Sequence, residues 1–162
     1  MMKAVQIAIK METDAINFYK EAAARTSSPV GEKMFLSVAE DEKRHLLMLS
    51  KIFKGEDIII EDVNPKDNIR TIFEAMKDEM MQRVKATDDE LEAFKIAMQM
   101  EKDGIEFYRK AKLGAGSDLE RSLFERLIVE EAHHYDIFAE TYSFLLDTGN
   151  WFLWDEQGII EG

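Results

Sequence analysis

The chain has no cysteine, only two prolines, and fewer basic than acidic residues, 21 against 33, for a formal net charge of -12. Each shortage excludes something. Without cysteine there is no disulfide, no thiolate metal site, no iron–sulfur cluster and no thiol nucleophile, and the absence suits a reducing compartment, so a cytoplasmic location is expected. The acidic excess disfavours nucleic acid or an anionic membrane as a partner and attracts cations instead. A metal site would account for part of that excess, because buried carboxylates need something cationic among them. No apolar run approaches the ~20 residues of a membrane-spanning helix. The opening MMKAVQIAIKMETDAINFY turns acidic and amphipathic too early for a signal peptide. What the chain does have is 162 residues, 46% of them hydrophobic, with no shift in composition along it, which bounds it to one well-buried domain.

With so few prolines, long segments keep a helical period, and the class is all-α. A first long helix is expected over about 3–26, with Val5, Ala8, Glu12, Ile16 and Tyr19 on one stripe. SSP ends it, and Ser28 with Pro29 can open a second helix as N-cap and first residue. That helix carries Phe35, Val38, Glu42, His45 and Leu49 on one face until Gly55. The following EDIIIEDVNPKDN reads as an extended connection, with a shorter helix over about 69–85 inside a long crossover. TDDE at 87–90 and SDLE at 117–120 are capping-box patterns for a third and a fourth long helix, ending near 113 and 147. The acidic run at 88–92 reads as a charged helix N-terminus. Residues 148–162 lack a helical pattern, and their two tryptophans and Phe152 need cover on the bundle or on a partner subunit.

The buried stripes contain acids and imidazoles where leucine would be ordinary, and a repeat explains why. AIKMETDAINFYKEA (8–22) and AMQMEKDGIEFYRKA (97–111) share 8 identities in 15 positions. Unrelated helices would share about one or two. The offset of 89 that carries Glu12 to Glu101 also carries Glu42 to Glu131 and His45 to His134. A two-helix hairpin has been duplicated with its polar residues in register. Glu12 lies about fourteen residues before the end of its helix and Glu42 about fourteen after the start of the next, so at ~1.5 Å per residue an antiparallel pair sets them level. The second hairpin repeats this, with Glu101 about twelve residues from one end and Glu131 about fourteen from the next start.

Four carboxylates gathered in one low-dielectric space need compensating charge, and two divalent cations would supply it. Oxygen ligands with one imidazole per metal suit iron or manganese. One glutamate from each of two helices, with Glu-x-x-His from each of the other two, is the arrangement of ferritin-like dinuclear carboxylate proteins.

In METDAINFY, EDEKRH, MEKDGIEFY and EEAHH the chain resembles the rubrerythrin type of the ferritin-like superfamily, across all four long helices. The resemblance implies a ferritin-like four-helix bundle over 1–147 holding a non-haem dinuclear iron centre, with 148–162 as an apolar tail. It further implies Glu42 and Glu131 as bridging ligands, Glu12 and Glu101 as terminal ligands, and His45 and His134 each completing one metal. Such centres reduce hydrogen peroxide to water, and related members oxidise ferrous iron with dioxygen. Tyr19 and Tyr108 resemble the tyrosines found beside them, as candidate catalytic residues. Two departures stand out: Gly104 occupies the position where peroxidase-type members carry a further glutamate that exchanges with a histidine, and the cysteine-ligated rubredoxin domain is absent. Peroxide reduction would then need an external donor, rubredoxin-like or flavin-bearing. The rival readings are an iron-binding or storage protein and a manganese catalase-like centre.

Other residues are read more plainly. His133 is expected to be exposed, Asp41 and Glu130 either support the histidines or stay solvated, and the methionines fill core gaps. A homodimer is expected from the apolar tail.

Overall fold

A computed structural model describes residues 2–76, 78 and 84–151. In chain order they form α1 (Met2–Arg25), α2 (Pro29–Phe53), α3 (Pro65–Ala75), β1 (Val84–Lys85), α4 (Asp88–Leu113), α5 (Asp118–Thr148) and β2 (Asn150–Trp151). The four long helices make an all-α, ferritin-like bundle. The hairpin partners α1–α2 and α4–α5 pack along their lengths, whereas α1 and α4 meet more sparsely. No helix among the described residues is long and apolar enough to cross a membrane.

Local chemistry sets the helix ends. Ser28 caps α2 by accepting from Gly31 N at 3.1 Å, with Pro29 pre-set for the first turn. Gly55, at φ 79°, turns the chain out of that helix, and Gly149, at φ 70°, ends α5 in a conformation only glycine adopts cheaply. Thr87 and Glu90 form the reciprocal capping box that opens α4. The second expected box is only half made. Ser117 accepts from Glu120 N at 3.1 Å, but the Glu120 carboxylate accepts from Gly116 N at 3.1 Å instead of from its cap.

The crossover departs from expectation in two places. Its helix begins at Pro65, not near 69, because Asn64 caps it by accepting from Lys66 N and Pro65 supplies the fixed φ of the first turn. Nor is Lys85 helical: Val84 and Lys85 pair antiparallel with Trp151 and Asn150. The expected stretch from 77 through 83 lies outside the described residues apart from Asp78.

That pairing draws Asn150 and Trp151, at the start of the tail, onto the bundle. Trp151 is 2% exposed, its ring 5.5 Å from Phe94 and its Nε1 donating to Glu90 Oε2 at 3.1 Å. A Cβ on Gly31 would stand 3.0 Å from the indole, so glycine makes the slot it fills. Glu90, expected in the capping box and the charged N-terminus of α4, is buried. It accepts from Thr87 N at 2.9 Å and from the Thr26 hydroxyl, fastening the α1–α2 turn, the start of α4 and the tail to one carboxylate. Phe152, Trp154 and the rest of the tail lie outside the described residues.

Two apolar clusters fill the bundle. One contains Tyr19, Phe35, Phe94, Phe138 and Trp151; the other contains Val5, Leu49, Tyr108, Phe124 and Leu127. Along every long helix a glutamate separates them: Glu12 lies between Ala8 and Ala15, Glu42 between Ala39 and Met48, Glu101 between Ala97 and Tyr108, and Glu131 between Leu127 and Ile137. The core is therefore divided by a polar layer at mid-bundle.

Candidate metal centre

Helix period and register bring six side chains into that layer, each at most 4% exposed: Glu12 from α1, Glu42 and His45 from α2, Glu101 from α4, Glu131 and His134 from α5. Their ligand atoms form two groups, Glu12, Glu42, His45 and Glu131 in one and Glu42, Glu101, Glu131 and His134 in the other, each with all atoms within 4.8 Å of one another. Glu42 and Glu131 belong to both. The two groups thus share two carboxylates and have one further glutamate and one imidazole each.

The imidazoles are held from behind. His45 Nε2 donates to Glu130 Oε1 at 2.8 Å, and His134 Nε2 donates to Asp41 Oδ2 at 2.9 Å. An ionised carboxylate can only accept, so Nε2 carries the proton and the Nδ1 lone pair of each ring points into the centre. There His45 Nδ1 lies 3.6 Å from Glu131 Oε1 and 3.7 Å from Glu42 Oε1, while His134 Nδ1 lies 3.0 Å from Glu42 Oε1 and 3.5 Å from Glu101 Oε1. Asp41 and Glu130 are themselves related by the 89-residue offset. Each supports the histidine of the opposite hairpin.

The tyrosines cross over in the same way. Tyr19 OH donates to Glu101 Oε1 and Tyr108 OH to Glu12 Oε1, both at 2.6 Å. A helical side chain leans toward the N-terminus of its own helix, so each ring reaches back two turns to the level of the glutamates and meets the carboxylate of the antiparallel neighbour. Burial first, then the charges of nearby glutamates, raise both phenol pKa values well above the ordinary range, which keeps the hydroxyls neutral donors.

Charges around the layer are unequally balanced. Glu130 also accepts from Arg126 Nε at 3.2 Å and from both ends of the Arg44 guanidinium; although burial pushes its pKa up, His45 and Arg44 hold it well below the usual range. Glu42 is pushed well above that range by burial and then by the charges of Glu12 and Glu131. Burial raises Glu131 as well, but contacts with His134 and His45 bring it down to about 2. Burial lowers both imidazoles, yet the surrounding carboxylates outweigh it and raise them well above their ordinary value.

Within this layer five buried atoms make no hydrogen bond to the described residues: Glu12 Oε2, Glu42 Oε1, Glu101 Oε2, and Nδ1 of His45 and His134. Orphaned lone pairs of hard oxygen and imidazole nitrogen, converging in two overlapping groups, are a donor set that fits divalent cations. A cavity of about 210 Å³ leads to them between α1 and α4, reaching Glu12, Glu42, Glu101 and Glu131. A Cβ on Gly104 would lie 3.8 Å from the Glu131 carboxylate. At that position the chain offers space and no ligand.

His133 is partly buried, not exposed, and stands outside both groups; burial, then Lys66 and Arg126, lower its pKa. Arg44 and Arg126 escaped sequence reasoning because neither has a counterpart at the repeat offset, where His133 and Ser37 stand instead.

Fold and site together define a ferritin-like bundle whose middle layer carries a donor set that could hold metal. The rubrerythrin family model matches residues 3–142, nearly the whole bundle, and the chain belongs to the rubrerythrin family, ferritin-like proteins of the diiron type. No curated protein and no solved structure matches the chain closely enough to extend that assignment.

Proposed function

We propose that the chain is a cytoplasmic diiron oxidoreductase that reduces hydrogen peroxide to water with electrons from a separate rubredoxin-like or flavin-bearing protein. The observation that carries the proposal is the sharing of Glu42 and Glu131 by two groups that each have their own glutamate and imidazole. In it Glu42 and Glu131 would be shared by both irons, Glu12 and His45 would hold one of them, and Glu101 and His134 the other. Bound iron would supply, through its ferrous and ferric states, the two electrons that with two protons turn one peroxide into two waters.

The chain's own residues do the rest. Asp41 and Glu130 hold the imidazole tautomer that leaves Nδ1 free, and the neutral hydroxyls of Tyr19 and Tyr108 fix Glu101 and Glu12. The cavity between α1 and α4 admits a molecule as small as peroxide to the carboxylate layer, while the apolar clusters keep bulk water from both ends. Exposed Leu47, Ile59 and Leu146 are consistent with a homodimer as part of the same proposal.

Gly104 favours a second reading, an iron-binding or ferrous-oxidising protein, since no further carboxylate stands there to follow a change of oxidation state. Anaerobic ferrous protein mixed rapidly with peroxide or with dioxygen separates the two. Faster oxidation by peroxide, sustained over many turnovers with a reductant, is expected. A single oxidation by dioxygen without turnover would move the function to the second reading, and reductant-free dismutation by manganese-loaded protein would replace both.

A further inference from the structure

The cavity over the carboxylates is itself a product of the duplication. Its α1 wall carries Met11, Asp14 and Ala15, and its α4 wall carries Met100, Asp103 and Gly104. The offset of 89 relates these residues pair by pair. The hairpin has thus repeated an outer aspartate, a methionine and a small residue around an opening, in addition to the ligand positions beneath it.

Resting on the dinuclear reading above, we infer that this opening is the route by which divalent cations reach the centre, with Asp14 and Asp103 collecting them at the mouth and Ala15 and Gly104 keeping the passage clear. Three observations converge. Glu12 Oε2, Glu42 Oε1 and Glu101 Oε2 are buried without a partner, and all three residues line the inner end of the cavity. On the far side of the layer both histidines are fully buried behind Asp41 and Glu130, and Tyr19 and Tyr108 cover Glu101 and Glu12 toward the apolar clusters. Finally, the small residues decide the width, since even a Cβ on Gly104 would sit 4.0 Å from Met11 Cε and 3.8 Å from the Glu131 carboxylate.

The outer aspartates are only lightly engaged. Asp14 pairs with Lys10 at 3.1 Å, both side chains more than half exposed, and Asp103 accepts from Gln99 at 2.8 Å. Exposed pairs of this kind are weak and screened by salt, so neither blocks exchange with a passing cation. Two carboxylates at the mouth of a negatively charged cleft raise the local cation concentration and hence the rate of entry, without adding ligands to the final site.

The test follows cobalt(II) uptake into the metal-free full chain by stopped-flow absorption, with equilibrium stoichiometry measured alongside. Wild type should bind two cations. The variant D14N/D103N should also reach two, but load about 5- to 10-fold more slowly at low ionic strength, with the difference vanishing in high salt. G104L should load several-fold more slowly at every ionic strength, because its obstruction is steric. If wild type binds two cations and both variants load at its rate, the entry route is wrong while the dinuclear centre stands. If wild type does not bind two, the dinuclear reading fails and the route falls with it.

Discussion

At the scale of single residues, the centre depends on groups that touch no metal position. Asp41 is the clearest because among the described residues it is held by His134 and, at 3.4 Å, by Arg44, whereas Glu130 also takes hydrogen bonds from two arginines. The substitution Asp41→Asn should weaken one of the two cation equivalents about 10- to 100-fold and spare the other, measured by titration of the metal-free protein. Equal weakening of both, or of neither, would contradict the placement of His134. For the tyrosines, Tyr19→Phe and Tyr108→Phe each take the donor from a buried carboxylate. Each should cost about 1–3 kcal/mol of metal-free stability in denaturant unfolding. The repeat made Glu12, Glu42, His45, Glu101, Glu131 and His134 legible, because two copies in one register are hard to obtain by chance. It did not reveal which tyrosine meets which glutamate, since that depends on the lean of side chains on antiparallel helices.

At the scale of elements, the long helices follow from period and caps, and the crossover does not. The polar step in each stripe occurs at the same height in all four helices, so burying the apolar residues on either side leaves the glutamates in one layer. Between Gly55 and Ile69 the apolar residues Ile58, Ile59, Ile60 and Val63 lack helical spacing, so the apolar pattern starts at Ile69, and the local signals of Asn64 and Pro65 carry the helix one turn further back. Glu90 shows a related limit: the capping box was legible in TDDE, but not the donors that Thr26 and Trp151 bring to the same carboxylate from elsewhere in the chain. Replacing it as Glu90→Ala should therefore cost about 2–3 kcal/mol, more than the ~1 kcal/mol of an ordinary N-cap. Trp151 fluorescence should shift to the red at the same time. A loss no larger than that of Thr87→Ala, with unchanged emission, would show that the hub is not holding the tail.

At the scale of the whole molecule, the balance of protons and cations in the middle layer controls stability. In the metal-free protein Glu42, His45 and His134 have raised pKa values, so their stabilisation is complete below the unfolded values and is lost as pH rises through the folded ones. Glu130 and Glu131 have depressed values, so theirs is complete above the unfolded value and is lost as pH falls. The histidine contributions and those of Glu130 and Glu131 are complete together between about pH 4.3 and 6.5, given ordinary values of ~4.3 for glutamate and ~6.5 for histidine, and within that window Glu42 loses its own as pH rises, which places the optimum near about pH 5–6. Metal-free protein should be most stable there and lose Tm toward pH 8.5, whereas metal-loaded protein should gain over the same interval, because binding expels those protons. A metal-free Tm that rises from pH 6 to 8.5 would contradict the charge assignment.

The central claim is that one layer of the bundle holds two cations bridged by Glu42 and Glu131. Anaerobic ferrous titration of metal-free wild type, Glu42→Ala and Glu131→Ala, with bound iron counted per chain and Mössbauer spectra recorded after oxidation, tests it most directly. Two irons per wild-type chain, coupled after oxidation, and loss of the coupled pair in both variants are the expected result. One iron per chain, two uncoupled irons, or a coupled pair that survives either substitution would contradict it.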